Sequence, residues 1–266
     1  MHDLYIIKLG GSVITEKEGN RFEVKREAIA RISAEVKRAL DEKGFSLVVV
    51  HGAGPFGHTN VKEYGINDGV FDERQKEGYE KTVKDCLFLD SAVVGKLRKA
   101  GVEAIGFDPN RIVKQDERKI VEFETEGIEK SLEEEKVPVL FGQMVPDKKL
   151  NFSVLSGDSV IGFLAKRLGA KKVFLGTDVA GIFEEDPKKN PDAKRIEVID
   201  NANFEEIVKV VGGAGTVDVT GGMKGKLEKM KAMLEGTTAV VFDANKEGNF
   251  YKALVGEKVE GTEIRL

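Results

Sequence analysis

The chain has no tryptophan, six prolines and one cysteine in 266 residues. The lone Cys86 excludes an internal disulfide and any zinc site built from several thiolates, and it fits a reducing compartment. Set among Val83, Leu87 and Phe88, it reads as a core residue and not as a nucleophile. Neither charge dominates: 42 Lys+Arg against 46 Asp+Glu leave a formal net charge of −4, so no broad basic field favours nucleic acid. No apolar run approaches the roughly 18 residues of a membrane span. Met1-His2-Asp3 does not begin like a signal peptide. Repeats, low-complexity tracts and flexible linkers are also missing. The expectation is a cytoplasmic protein of one domain, residues 1–266, with neither nucleic acid nor a membrane as partner.

What the chain does have is glycine, 30 residues of it, and three glycine-rich turns. They are Lys8-Leu9-Gly10-Gly11-Ser12, His51-Gly52-Ala53-Gly54-Pro55-Phe56-Gly57-His58 and Thr220-Gly221-Gly222-Met223-Lys224-Gly225-Lys226. Glycine lets a backbone approach a ligand closely, and successive N–H groups at a helix start cradle phosphate oxygens. The middle turn matches G-x-G-x-x-G after a strand, a dinucleotide signal, and nearly matches a P-loop with His58-Thr59 where Lys-Ser/Thr belongs. Neither reading accounts for the other two turns; backbone donors aimed at an anion account for all three. His58 adds a further donor, while His51 reads as structural.

The surrounding pattern is that of an α/β protein. Leu4–Leu9 and Leu47–Val50 are short apolar runs on either side of a helical Val24–Lys43, which implies parallel strands and a right-handed crossover. A long helix over Glu73–Ala100 precedes strands at Val102–Phe107, Ile120–Phe123, Val137–Phe141, Gln143–Val145 and Leu150–Leu155, the last two joined by a hairpin at Pro146–Lys149. Gly157–Leu168 reads as a helix capped by Ser156. Then come a strand at Lys172–Gly176, helices at Phe204–Val211 and Gly222–Glu235, and a final core strand at Thr238–Phe242. The whole reads as one continuous α/β sandwich, in two lobes meeting near residue 170.

Lys8 lies in an apolar strand, where its ammonium needs a partner unless it snorkels from an edge. Asp158 and Asp178 sit where strands end, as helix caps or as carboxylates that orient lysines or magnesium. Lys17 and Lys226 would each pass alone for surface residues.

Taken together, Lys8–Ser12, Gly52–His58, Ser156-Gly157-Asp158, Thr177-Asp178-Val179 and Asp218–Met223 occur in the order of the amino acid kinase superfamily, and the chain resembles its archaeal-type isopentenyl phosphate kinases from Ile6 to about Arg265. Val13–Lys17 and Phe56-Gly57-His58 carry the narrower likeness. The resemblance implies an open αβα sandwich with a mainly parallel sheet, a homodimer, and transfer of the ATP γ-phosphoryl, with Mg²⁺, to a small phosphate acceptor. It implies an N-terminal lobe, about residues 1–170, for the acceptor and a C-terminal lobe, about 171–266, for the nucleotide. By motif, Lys8 and Lys226 would neutralise the transferring phosphoryl group, Lys17 would contact ATP phosphates and Asp158 would hold the lysines. His58, with Ala53, Gly54, Gly57 and Gly157, would grip the acceptor phosphate. Gly10, Gly11, Ser12, Thr177, Asp178, Lys188, Gly222 and Met223 would lie on the nucleotide side, and no residue is assigned as a protein-built metal ligand.

Phosphoryl transfer asks for positioning and charge neutralisation, and an acceptor that is already an anion needs no strong base. An apolar slot for the acceptor tail is expected from among Tyr64, Phe71, Tyr79, Phe88 and Val93. Three departures from the pattern stand out: Gln143 and Ala180 where similar kinases carry Asp, and Pro55, which removes an N–H from the cradle. Kinases of a phosphonate such as fosfomycin, of a nucleoside monophosphate, or of an acyl amino acid or carbamate are the alternatives within the fold. A nucleotide-sensing module without catalysis and a dinucleotide oxidoreductase lie outside it.

Overall fold

The computed structural model describes residues 2–18, 21–187, 189–211, 222–234 and 236–266, and of 17, 18, 21, 222–224, 226 and 229 the backbone alone. The first half comprises β1 (Leu4–Leu9), α1 (Gly11–Ile14), β2 (Thr15–Glu18), β3 (Arg21–Val24), α2 (Arg26–Glu42), β4 (Ser46–His51), α3 (Pro55–Glu63), α4 (Glu73–Lys99), β5 (Ala104–Gly106), α5 (Pro109–Ile112), β6 (Val113–Asp116), β7 (Lys119–Phe123) and α6 (Glu126–Glu133). Then follow β8 (Val137–Phe141), β9 (Gln143–Asp147), β10 (Asn151–Leu155), α7 (Gly157–Leu168), β11 (Lys172–Thr177), β12 (Ile182–Phe183), β13 (Arg195–Ile196), β14 (Val198–Asp200), α8 (Phe204–Val211), α9 (Gly222–Met233), β15 (Thr238–Asp243), α10 (Asn249–Val255) and β16 (Gly261–Arg265).

Eight strands form the central sheet in the order β14-β16-β15-β11-β1-β4-β8-β5. Every pairing in it is parallel except β15 with β16. The sheet is covered on both faces, which is why its inner strands read as near-continuous apolar runs. Alternation divides the side chains between the two covers: Ile7, Leu9 and Val49 join a core with α2, α4 and α10, and Ile6, Val48 and Val50 join one with α7, α8 and α9. Each such aliphatic, fully buried, contributes on the order of 1.5–3 kcal/mol. A smaller sheet, β10-β9-β6-β7, stands beside the large one.

The sheet runs unbroken across residue 170, since β11 pairs with β1 directly. Sequence reading ended the core at Thr238–Phe242; β16 instead returns antiparallel beside β15 and carries β14 on its outer side. The short β2–β3 hairpin and α3 are likewise additions. The topology also fixes where a ligand sits. From β1 the chain continues to β4 on one side, and β11 later fills the other; the carboxyl ends of strands open a crevice at such a switch point.

Candidate active site

Two of the three glycine turns lock together at that crevice. A Cβ added to Gly11 would stand 2.7 Å from the amide nitrogen of Gly54, and one on Gly52 would stand 2.9 Å from that of Gly11. Gly54 has φ +53, and a side chain there would also strike the Thr15 hydroxyl, which donates to Gly11 O at 2.5 Å. The turn leading into α7 closes the third side: a Cβ on Gly142 would meet Gly157 N at 3.0 Å, and Gly142 N donates to His51 O.

Helices α1, α3 and α7 therefore all begin at one place. N–H groups at a helix start lack intrahelical partners and favour an anion, although Val13 N already donates to Gly10 O at 3.0 Å and α3 opens on Pro55, which has no N–H. Not every glycine amide is open, however. Gly10 N donates to Gly176 O at 3.0 Å, and Gly57 N donates to Gly54 O at 3.3 Å. These two glycines serve close packing, Gly57 against Ala53 and Cys86, so the expectation that the Gly57 amide grips phosphate gives way to one in which it closes the first turn of α3.

The three helix starts face a cavity of about 710 Å³, within the usual span for small-molecule sites. Lys8 enters it from a strand flanked on both sides, so it is no edge lysine. Its Nζ lies 2.5 Å from Asp158 Oδ1, with the two side chains 21% and 45% exposed. Asp158 is thus an ion partner and not a cap: the cap of α7 is Ser156, whose hydroxyl accepts from Ser159 N. Lys25 also lines the cavity and donates to Ser12 O at 3.1 Å, holding the first turn from outside.

His58 opens onto the same space, and burial by the cavity walls holds its pKa below the ordinary value. His51 lies behind, fully buried, stacked on Phe141 and 3.3 Å from Asp90. The wall also has an apolar part, with Val61, Cys86, Met144 and Val154. Burial, then the carboxylates of Asp85 and Asp108, push the Cys86 thiol up to about 12, so it is a wall atom and not a nucleophile.

Of the residues singled out from sequence, Lys8, Gly11, Ser12, Ala53, Gly54, Gly57, His58, Gly157, Asp158 and Asp178 line this one cavity. Thr177 stands at the end of β11, its hydroxyl closing a turn onto Val179. The side chains of Lys17, Met223 and Lys226, the whole of Lys188, and residues 218–221 of the third glycine turn lie outside the described residues; for Gly222 only its place in α9 is described. The aromatic candidates for a tail slot sit elsewhere. Tyr64 packs over Gly78, Tyr79 stacks on Phe152, Phe71 and Phe88 are exposed, and Val93 is core. Tyr64 and Tyr79 back Val61, Met144 and Val154, which form the wall itself. Sequence reading missed Lys25, which carries no local signal, and took Thr15 only as part of the Val13–Lys17 likeness; their place beside the first turn puts both at the cavity.

Among the described residues no three His, Cys, Asp or Glu side chains gather to hold a metal ion unaided. The carboxylates at the cavity are Glu16, Asp158 and Asp178. The arrangement suits two anions held by helix termini and lysines, with one of them carrying an apolar group.

Comparison with known proteins agrees with this geometry. The model of the amino acid kinase family matches residues 3–243. An isopentenyl phosphate kinase of Methanothermobacter thermautotrophicus is 37% identical over 98% of both chains, and one of Methanocaldococcus jannaschii is 35% identical over 98% of both. An X-ray structure of isopentenyl phosphate kinase superposes with a TM-score of 0.84 at 34% identity, covering 98% of this chain and all of that one. The chain belongs to the amino acid kinase family.

Proposed function

We propose that this protein moves the γ-phosphoryl group of ATP onto isopentenyl phosphate, giving isopentenyl diphosphate and ADP. The observation that carries the reading is one cavity lined both by Lys8, Gly54, His58 and Gly157 and by the apolar Val61, Met144 and Val154. The full-length relatives at 35–37% identity bear the same name.

In this reading an oxygen of the acceptor phosphate attacks the γ-phosphorus as the bond to ADP breaks. The nucleophile is already ionised, so the protein supplies alignment and charge neutralisation and no general base. Lys8 offsets charge on the transferring group, and Asp158 fixes its ammonium at 2.5 Å. Lys17 and Lys226 join it by motif, with Gly11, Ser12, Thr177, Asp178, Lys188, Gly222 and Met223 on the nucleotide side. His58 and the amides of Gly54 and Gly157 take the acceptor phosphate, with Ala53 and Gly57 shaping that turn. Mg²⁺ would come with ATP, held by phosphate oxygens and waters, and would offset charge on the phosphates. The acceptor then lies with the segment before about residue 170 and the nucleotide with the segment after it, in a cytoplasmic homodimer.

An ADP-release assay tests the proposal across isopentenyl phosphate, fosfomycin, uridine monophosphate, N-acetylglutamate and carbamate. The expected result is a kcat/KM for isopentenyl phosphate at least about a hundredfold above the others, a gap of roughly 2.7 kcal/mol in transition-state stabilisation. Turnover of another acceptor with none of isopentenyl phosphate would overturn it.

A further inference from the structure

We propose that Lys25 is a nucleotide-binding residue, its ammonium taking an oxygen of the triphosphate beside Ser12. The inference rests on the reading of this cavity as a kinase site. Lys25 follows β3 and stands, half-buried, at the N-cap of α2. Main-chain bonds fix it there: its N–H donates to Ile14 O at 2.8 Å, and its carbonyl accepts from Ile29 N at 3.1 Å. A lysine suits that place poorly. An ammonium cannot accept from the helix amides, no side-chain cap bond forms, and its charge opposes the positive end of the helix. A local rule broken without local gain is what a functional position looks like.

The side chain runs back to the first glycine turn instead, and lines the cavity beside Gly11, Ser12 and Thr15. Its Nζ, open to solvent, donates to Ser12 O at 3.1 Å. That carbonyl occupies one of three ammonium donors and neutralises none of the charge. Among the described residues no carboxylate forms an ion pair with Lys25, whereas Lys8 is already held by Asp158 at 2.5 Å. Two donors and a full charge remain for a ligand. A triphosphate answers both, since its oxygens are anionic acceptors and charge-assisted bonds to them are the strong ones. Ser12 lies on the nucleotide side in the proposed reading, so the partner is the triphosphate and not the acceptor. Because Ser12 O already holds the ammonium, little rotamer freedom is lost when the ligand arrives.

Titration calorimetry with a nonhydrolysable ATP analogue and Mg²⁺ tests this on the full chain. In Lys25→Met the Kd should rise at least about tenfold, the loss of one charge-assisted bond. Lys25→Arg should restore most of the affinity, and the Kd for isopentenyl phosphate should stay the same in both variants. An unchanged analogue Kd overturns the inference. So does a rise confined to isopentenyl phosphate, which would move Lys25 to the acceptor. A loss of affinity that tracks a fall in the ligand-free melting temperature, in Lys25→Arg as in Lys25→Met, would make Lys25 a clip on Ser12 alone and overturns it too. Acetic anhydride labelling of the wild type covers a variant that does not fold. The saturating analogue should protect Lys25 in the peptide map, and equal acetylation with and without it overturns the inference. Protection of Lys25 without turnover of isopentenyl phosphate upholds it while rejecting that acceptor; no binding of the analogue overturns both readings.

Discussion

Asp158 is two residues into α7, yet its carboxylate turns to Lys8 on β1, 150 positions away, while Ser156 attends to the helix. The pair is partly open to solvent, so its contribution to stability is small, on the order of 0–1 kcal/mol. In the proposed reaction its contribution to catalysis is larger, because the pair would aim a charge at the reacting phosphoryl group. Asp158→Asn should lower kcat by about 10²–10³, as removal of one preorganised electrostatic group does, and leave the urea midpoint nearly unmoved. A midpoint loss matching the loss of rate would make the pair structural. His58 supplies a pH signature. Burial lowers its pKa in the fold, so between the ordinary value of 6.5 and the folded value the unfolded chain binds more protons. That contribution is full above pH 6.5 and is lost as pH falls towards the folded pKa. Between pH 7.5 and 5.5 the melting temperature of ligand-free wild type should therefore drop further than that of His58→Gln; equal drops would contradict it.

Elements differ in how they bear change. In α4, Gly95 is exposed, and a Cβ there meets nothing within 4 Å. Gly95→Ala should stabilise the protein by about 1 kcal/mol in urea denaturation through helix propensity. Asp147, at the end of β9, is the opposite case. Burial favours its neutral form, but donors from Arg118, Ser153, Leu150 and Lys149 outweigh burial and hold its pKa at about 2. Those bonds tie the β6–β7 turn to the β9–β10 hairpin, and β9 carries Gln143 and Met144. Asp147→Ala should cost about 1.5–3 kcal/mol by removing the charged acceptor that these donors share. The stabilisation it supplies is fully present above pH 3.8 and fades as pH falls through 2, so it survives mild acid.

At the scale of the molecule, much was legible from sequence because one physical cause dominated. Strands β1, β4, β8 and β11 are buried on both faces and announce themselves as apolar runs. The first two glycine turns did so because backbone meets backbone where they cross. Charged, marginal strands did not: Thr15–Glu18 and Gly261–Arg265 carry little apolar pattern and owe their form to pairing with distant partners. The apolar wall was missed for a related reason, since aromatic residues drew the eye while Val61, Met144 and Val154 converge only through tertiary packing. The cavity is consequently built from segments distant in sequence, and a ligand filling it should brace the whole fold. At a free concentration 100 times its Kd, a nonhydrolysable ATP analogue with Mg²⁺ adds about 2.7 kcal/mol. In a domain of this size that raises Tm by about 5–10 °C. NADH should add nothing, because Gly52-Ala53-Gly54-Pro55-Phe56-Gly57 interlocks with the turn after β1 and, in the proposed reading, opens onto the acceptor. A shift with NADH and none with the ATP analogue, measured by scanning calorimetry, would mean that the middle glycine turn binds dinucleotide and that the kinase reading of the site is wrong.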